Sequence, residues 1–540
     1  MSRAVKAGLL GLVIAATVWA ITLWQWRRAP ESVSGQHILL QLVGLPLGLT
    51  LVALGVWAGA ARLRERVAST PPHVPPAQAG QGAALQAVSD ASTGEAKRPA
   101  AVAQAVACVL AEAVCLPAGA DAASAWSAMR ESLVRPSLDA ELTDADGMPV
   151  FTGRVPDLDA QDWRLAHADV TPPGATPLPE GVVRVLALLE APLHTLMAAV
   201  GQWPQPMALG GHTYPAELGT GLPPDAPSHL SGVGRPDGRA HRQAQAERAP
   251  VVEVRLCLPA DWSASDHAHA AAWVRAQCGP LLDWTDAHGA APPQWRDGTW
   301  PHEAGPEALW VELADRWPQW SASPRPHLLL LLAADSALDA DRVAHWQARG
   351  ELFTGHHQRG RVPGEAAAGV WLANAAWHAW AQATGGTDAD ALAGSPWLWP
   401  AACTARERSA DAVGRVDAGP LQSGLQSIAD RLRPHAEGDW TLVTDGDHRA
   451  SRSAEVFEAL LAVRPQADPM LSVLRAGDAC GDMGLARALV PLALAAAALR
   501  LGDATGLTLA LCVQDAHQRV VVPLTPAANE PPRAHPPDDT

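Results

Sequence analysis

Two stretches near the amino terminus carry no charged residue, and they constrain this chain more than any other feature. The first, residues 7–26 (AGLLGLVIAATVWAITLWQW), is 20 positions long, and the second spans residues 38–61. A helix of about 20 apolar residues crosses the roughly 30 Å hydrocarbon layer of a bilayer. We therefore expect a hairpin of two membrane-spanning helices over residues 1–66. The first run ends in an interfacial belt, Trp24 to Arg28, which argues against a cleaved signal peptide.

Basic residues around the two runs predict how the hairpin is oriented. Five of them flank its outer ends and two lie in its turn, and positive charge is enriched on the cytoplasmic side of a membrane. The flanking residues are Arg3, Lys6, Arg62, Arg64 and Arg66, against Arg27 and Arg28 in the turn. We therefore expect a two-helix protein of a bacterial inner membrane with its soluble part in the cytoplasm. The seven Cys residues, which form no CxxC pair, also fit a reducing compartment.

Charge and lysine content exclude several functions. The formal net charge is -16, so the field of the protein would repel nucleic acid. Only Lys6 and Lys97 occur in the chain, one beside the first apolar run and one in a low-complexity stretch. A Walker phosphate loop and a pyridoxal enzyme each need a Lys inside a folded region. Neither chemistry is available here.

Composition divides the rest of the chain into successive ranges. A Pro-, Ala- and Gly-rich stretch is typical of a flexible linker, and the Pro-rich end of the chain is typical of a disordered tail. Between them, apolar patterns indicate folded structure interrupted by one Gly/Pro-rich loop. The ranges are a linker at 67–100, an N-terminal α/β part at 101–210, the loop at 211–250, a larger domain at 251–525 and the tail at 526–540.

Hydrophobic patterns predict the elements of the folded ranges. In the first part they predict two helices, 102–115 and 181–200, and two strands, 138–142 and 149–153. Beyond residue 250, strands and helices alternate, which is typical of a layered α/β fold. There the predicted strands are 251–258, 327–333, 366–373, 440–444, 507–513 and 519–524, and the predicted helices are 264–278, 306–317, 339–349, 421–433, 451–463 and 485–501.

Two blocks of sequence resemble a known superfamily. In the first, a buried strand ends in Ala333-Ala-Asp-Ser336, and Val362-Pro-Gly-Glu-Ala-Ala367 enters the next strand. In the second, residues 439–524, a strand, loop, helix, small-residue turn, long Ala-rich helix and closing hairpin follow one another. Together they resemble the thiolase-like superfamily of β-ketoacyl synthases. The resemblance implies a thiolase-like layered α/β domain, with the fold motif of the family at Asp335, Ser336, Pro363, Gly364 and Glu365.

The catalytic positions of that family are not matched. β-Ketoacyl synthases use a Cys nucleophile at a strand-to-helix turn and two supporting His residues. The loop that matches the turn, PHEAGPEALW at 301–310, has neither Cys nor Ser, and Cys278 lies too far upstream, at the end of a helical pattern. Asp445 and Asp482 stand where the two His residues are expected. The resemblance thus implies a degenerate active site without catalytic residues.

The same acidic residues allow a second interpretation. Asp445 and Asp447 form a DxD pair that, with His448 and Asp482, could hold a divalent cation. Alternatively, Asp445 and Asp482 cap the helices predicted near 451 and 485, where a carboxylate accepts backbone N–H groups. We favour capping, and we expect no metal and no cofactor. His pairs at 267/269 and 356/357 give only weak support for metal binding.

These observations favour a membrane-anchored scaffold without catalytic activity. The sequence is also similar, more distantly, to an adapter family for lipase effectors of type VI secretion. That similarity implies a protein client, such as a secreted lipase effector or a spike protein, besides the lipid bilayer and no nucleic acid. The thiolase-like resemblance implies a homodimer. The competing hypothesis is a membrane-associated acyl-condensing enzyme of the β-ketoacyl synthase type.

Overall fold

The computed structural model describes residues 105–167, 177–204, 249–288, 290–298, 305–383 and 394–527. The predicted membrane hairpin and linker, and nearly all of the predicted tail and the 211–250 loop, lie outside these residues. Within them, one helix, Glu180–Val200, is long and apolar enough to cross a membrane, and most of it is buried inside the fold. The described residues belong to a compact unit that spans residues 100–540.

A mixed sheet of eleven strands forms the centre of this unit, and it has two halves with the same pattern. In each half, three adjacent strands run parallel to one another, and the next strand in the sheet is antiparallel to them. The strand order is β5-β4-β6-β7-β1 in the first half and β11-β10-β12-β13 in the second, where β9 also pairs with β13. The two-residue strand β8 joins the halves by pairing with β1 and β13.

The central strands are near-continuous apolar runs, which is typical of strands buried on both faces. The strands of the sheet are β1 (Ala107–Cys115), β4 (Val251–Cys257), β5 (Gln294–Gly298), β6 (His327–Ser336), β7 (Glu365–Ala373), β8 (Trp397–Leu398), β9 (Ala402–Ala405), β10 (Trp440–Thr444), β11 (Val473–Arg475), β12 (Leu507–Cys512) and β13 (Gln518–Thr525). A separate two-stranded hairpin consists of β2 (Ser137–Thr143) and β3 (Pro149–Thr152).

Several helices begin at a polar side chain that accepts a backbone N–H of the first turn. Asp121, Asp159, Ser263 and Asp339 take this role. The helices are α1 (Ala122–Arg130), α2 (Ala160–Ala166), α3 (Glu180–Val200), α4 (Ala264–Gln277), α5 (Gly279–Ala287), α6 (Ala308–Ala322), α7 (Ala340–Ala348), α8 (Ala375–Ala383), α9 (Gly419–Arg431), α10 (Arg433–Ala436), α11 (Ala450–Val463), α12 (Pro469–Ser472), α13 (Gly477–Cys480) and α14 (Val490–Leu501), with a 3-10 helix at Gly484–Ala488.

Two hydrophobic clusters place the helices in layers. The inner cluster combines α6 and the Ala-rich α14 with the faces of β1, β6, β7, β12 and β13. Helix α14 packs against strands of both halves, because its small side chains let the backbones approach closely. The outer cluster covers the other faces of the sheet, with α3, α4 and α5 on the first half and α9 and α11 on the second. The result is a mixed, layered α/β fold.

The structure corrects one predicted element. Residues 102–115 were expected to form a helix, but Ala107–Cys115 is strand β1, which pairs with β7 and with β8. The error has a physical cause: a short continuous apolar run fits a buried strand as well as a buried helix. Since β1 lies inside the sheet and α3 packs on it, the 101–210 part contributes to the same unit as 251–525. The remaining predicted strands and helices are present within a few residues, except that 485–501 begins as the 3-10 helix.

Candidate functional site

The carboxyl ends of strands from both halves meet at one edge of the sheet. Strand β6 ends at Asp335 and Ser336, and the carboxylate of Asp335 accepts the backbone N–H of Leu485 at 3.1 Å. The backbone N–H of Asp482 donates to the Val362 carbonyl at 2.8 Å. The predicted motif and Asp482 therefore lie side by side. In layered α/β folds this edge is a common place for ligand sites.

Two glycines make this close packing of backbones feasible. A Cβ at Gly364 would lie 1.9 Å from the carbonyl oxygen of Cys480, and a Cβ at Gly484, where φ is +51°, would lie 2.0 Å from a carboxylate oxygen of Asp335. Any larger residue would push the two chain segments apart. Pro363 also takes part, because its carbonyl accepts the N–H of Gly153 at 2.8 Å.

Glu365 of the motif is fully buried and holds neighbouring elements together. Its carboxylate binds the Arg184 guanidinium of α3 in two contacts, at 2.6 and 2.7 Å. It also accepts hydrogen bonds from the hydroxyl of Ser336 at 3.0 Å and from the N–H of Val155 at 2.8 Å. All four contacts lie inside the protein, so the role of Glu365 is to fix the structure around the site.

An ion pair occupies the amino end of α6, where the resemblance predicts a nucleophile. Glu307 is the residue before the helix, it is fully buried, and both of its carboxylate oxygens lie 3.1 Å from the guanidinium of Arg487. A carboxylate is favoured there because the first turn of a helix presents unpaired N–H groups and a positive partial charge. Arg487 also lies 4.0 Å from Asp515. A carboxylate neutralised in this way is not a nucleophile for acyl transfer.

Asp445, which the resemblance places at the first of the two His positions, is tied to the hairpin of β12 and β13. Its carboxylate accepts the N–H of Val513 at 2.7 Å and that of Gln514 at 3.3 Å. Burial raises the pKa of Asp445 to about 7, nearby Glu307 adds to the effect, and Arg487 opposes it. The side chain is completely buried. Asp445 therefore closes the end of the sheet and does not cap the helix that follows, which corrects the capping hypothesis at this position.

Asp482, which the resemblance places at the second His position, does accept a hydrogen bond from a backbone N–H at the start of a helix. Its carboxylate oxygen lies 3.0 Å from the N–H of Gly484, the first residue of the 3-10 helix. Burial alone would raise the pKa of Asp482, but Arg361 and Arg487, together with that N–H, hold the pKa below its ordinary value. The residue is therefore an anion that balances two guanidinium groups.

The DxD pair is separated by its hydrogen bonds. Asp447 pairs with Arg449 at 2.9 Å, and Arg449 in turn bonds the side chain of Gln514. Asp445 instead binds the backbone N–H groups at the β12–β13 hairpin. His448 packs against Phe353, and its Nε2 atom has no hydrogen-bond partner among the described residues. Within that part of the chain, no group of three or more His, Cys, Asp or Glu side chains is arranged for a metal ion.

Six of the seven cysteines are buried, and Cys403 is half-buried. Burial raises the pKa of the Cys278 thiol to about 12, and burial also raises the pKa values of Cys480 and Cys512. Helix α5 begins immediately after Cys278, so the positive end of a helix lies beside this residue. Its side chain nevertheless belongs to the outer hydrophobic cluster, away from the sheet edge. Few thiolate anions form at such sites at neutral pH.

A cavity of about 360 Å³ opens at this edge of the sheet. Its charged lining consists of paired groups, since Arg342 contacts Asp335 at 2.9 Å and Arg361 contacts Asp482 at 3.6 Å. Guanidinium groups that already hold carboxylates offer little to a developing oxyanion. Chemically, this is a site of structural ion pairs beside an open cavity.

Sequence reasoning did not identify the ion pair between Glu307 and Arg487. Glu307 and Arg487 are 180 residues apart, and nothing in their local patterns links them. One signal was present: Glu307 stands at the opening of a predicted helix, where an acidic residue is favoured.

Comparisons with known proteins give structural similarity only. No protein-family model matches the chain, and no curated protein matches it significantly. Among solved structures, the ishigamide ketosynthase/chain length factor is 15% identical with a TM-score of 0.40, covering 78% of this chain and 99% of its own. The module 1 ketosynthase of the bacillaene synthase from Bacillus amyloliquefaciens FZB42 is 11% identical with a TM-score of 0.40, covering 79% and 77%.

A further ketosynthase, from module 6 of the bacillaene synthase of Bacillus subtilis 168, is 11% identical with a TM-score of 0.43 and covers 77% and 71% of the two chains. With TM-scores below 0.5, these similarities carry no weight for function. The contacts within the chain itself are the better guide to its chemistry.

Proposed function

We propose that this chain is a membrane-anchored, non-catalytic scaffold of thiolase-like architecture that binds a protein client. One observation carries the proposal: a buried ion pair between Glu307 and Arg487 lies at the start of α6, where the resemblance places the nucleophile of a ketoacyl synthase. With Asp445 and Asp482 at the two His positions, the site lacks both an attacking group and free donors for an oxyanion.

Anchoring is supported by the two uncharged stretches at 7–26 and 38–61, each long enough to span a bilayer. A tether of about 30 residues would keep a bound client near a membrane machine at a high effective concentration. By analogy with the type VI secretion adapters, the client is a secreted lipase effector or a spike protein.

The absence of catalysis is tested by acyl labelling. The full chain in detergent is incubated with a haloacetyl analogue of an acyl thioester and its intact mass is measured, beside the Cys278→Ser and Cys480→Ser variants. We expect no stoichiometric adduct at Cys278 or Cys480 in any of the three proteins, because both thiols are buried and burial raises their pKa values. An adduct that disappears in either variant would overturn the scaffold proposal and support an acyl-condensing enzyme.

Client binding is tested with a candidate client that is encoded beside the gene for this chain. If spike and lipase genes lie beside it, the encoded lipase is purified and titrated onto the full chain in nanodiscs. Saturable binding of one lipase, competed by the unlabelled lipase and not by an unrelated secreted protein, supports the adapter proposal. Neighbouring genes for acyl-carrier proteins, with no binding of a secreted protein, would contradict it.

A further inference from the structure

A second, larger cavity lies next to the candidate site, between the starts of α3, α4 and α7. It has a volume of about 830 Å³, within the range of roughly 300–1,000 Å³ that is usual for ligand pockets. It adjoins the cavity at the sheet edge, because Asp261, Arg342, Trp346 and Arg361 line both. We call this larger cavity the acidic groove.

The acidic groove has an apolar floor and aromatic side chains in its walls. Val182 and Val185 of α3 are buried beneath it, and Trp262 and Trp346 are half-buried in its walls. Arg361 already lies over the ring of Trp346, at 5.5 Å from the ring centroid. A guanidinium stacked on an aromatic face is a stable arrangement, and it shows which ligand group suits such a wall.

Carboxylates outnumber guanidinium groups in the lining, five to three. The carboxylates are Asp261, Asp266, Asp339, Asp341 and Glu351, and the guanidinium groups are those of Arg342, Arg349 and Arg361.

The three arginines already have partners. Arg342 binds Asp261 at 2.9 Å, Arg349 binds Glu351 at 2.8 Å, and Arg361 binds Asp482 at 3.6 Å. By contrast, Asp266, Asp339 and Asp341 form no ion pair with any other described residue. The negative charge of the groove is therefore not neutralised within this part of the chain.

We infer that the acidic groove binds a cationic peptide segment of the client, with Arg or Lys side chains facing Asp339 and Asp341 and apolar side chains on the floor. Charge complementarity selects this occupant, because an acidic or neutral segment would leave the excess negative charge of the groove without a counter-charge. The half-buried Trp262, which packs against His267, also lines the groove and offers an aromatic surface to an incoming guanidinium. This inference rests on the proposed client-binding function and specifies the chemistry of the client.

The test uses the full chain in nanodiscs of zwitterionic lipid, which do not themselves attract a cationic peptide. A short fluorescein-labelled peptide of alternating Arg and Leu is titrated by fluorescence anisotropy, beside a matched peptide with Gln in place of Arg. We expect the Arg peptide to bind about tenfold more tightly than the Gln peptide at physiological ionic strength.

Variants locate the binding. Asp339→Asn/Asp341→Asn should weaken binding of the Arg peptide about three- to tenfold, while keeping a side chain that can cap α7. Trp262→Ala should weaken it about tenfold. The matched control, Asp283→Asn/Glu458→Gln, removes two exposed carboxylates that do not line the groove, and it should change binding less than about twofold.

An equal loss of affinity for the Arg peptide in the groove variants and the control variant would show general attraction to an acidic protein and would overturn the inference. No binding of the peptide to the unmodified chain would also overturn it. If Trp262→Ala fails to fold, the Asn double variant still decides. The result of the peptide titration is independent of the acyl-labelling result. An acyl adduct would refute the scaffold proposal without affecting peptide binding in the groove. Failure of the peptide to bind would leave the scaffold proposal standing.

Discussion

The two halves of the sheet share one strand pattern but are covered on their outer faces by different chemistry. On the first half, five Trp side chains pack together, with Trp203 and Trp371 at 4.8 Å and Trp377 and Trp380 at 5.0 Å between ring centroids. On the second half, the buried carboxylate of Glu455 lies between two guanidinium groups, at 2.7 Å from Arg519 and 2.8 Å from Arg406.

This difference affects how each half tolerates substitution. When a side chain in an aromatic cluster is made smaller, the free energy of unfolding falls in proportion to the atoms removed and the cavity left behind. A buried ion pair contributes little net stability over an apolar equivalent, but removing one partner leaves a charge without compensation. The second half should therefore be much more sensitive to a change that alters charge and barely alters volume.

The largest effect is expected from Glu455→Gln. The substitution keeps the shape of the side chain but leaves the fully buried Arg519 without its counter-ion, which should lower the free energy of unfolding by about 3–5 kcal/mol. Urea denaturation followed by circular dichroism measures the change. Glu458→Gln, at an exposed position of the same helix, is the control, and an equal effect of the two variants would show that the buried ion pair is not the cause.

Asp445 should make the second half sensitive to pH. The pKa of Asp445 is about 7 in the native state against an ordinary value of 3.8, so the native state holds a proton that the unfolded chain releases. The contribution of this proton is complete below about pH 4 and is lost as the pH rises to about 7. Between about pH 4 and pH 7, the unchanged protein should lose free energy of unfolding of order 2–4 kcal/mol through this group. The Asp445→Asn variant should not show this loss. Parallel pH profiles for the two proteins would be evidence against it.

A smaller effect is expected from Trp371→Phe in the first half. The smaller ring leaves a modest cavity and loses the hydrogen bond from the indole N–H to the Leu196 carbonyl at 3.1 Å, a cost of about 1–2 kcal/mol. Thermal unfolding of the two proteins measures it. Trp295→Phe, at a half-buried position on β5, should cost less; a larger cost there would show that the Trp cluster does not stabilise this half.

The smallest effect is expected at the surface. Asp430→Asn removes an exposed carboxylate that lies 3.8 Å from Arg433, also exposed, and should change the free energy of unfolding by less than about 0.5 kcal/mol. Urea denaturation under the conditions used for Glu455→Gln measures it. A loss comparable to that of Glu455→Gln would mean that burial does not explain the sensitivity of the second half.

The sequence predicted local patterns well and long-range pairings poorly. Alternating apolar runs placed most strands and helices, because burial requires that periodicity. The apolar pattern predicts a helix over 102–115 because ACVLAEAVC, which is strand β1 and pairs on both sides within the sheet, has no alternation that indicates a strand. At the site, Asp445 and Asp482 were identified from the resemblance. Their partners Val513, Gly484 and Arg487 became clear only from the fold, as did the acidic groove.

Whether the site lacks an available nucleophile can be decided by counting reactive thiols in the native protein. The full chain is treated at neutral pH with a chromogenic disulfide reagent, with and without denaturant. We expect six of the seven Cys residues to react only after denaturation, and Cys403, the one half-exposed thiol, to react slowly because burial raises its pKa. A thiol that reacts fast and stoichiometrically in the native protein, and is protected by an acyl thioester, would contradict a site without a nucleophile.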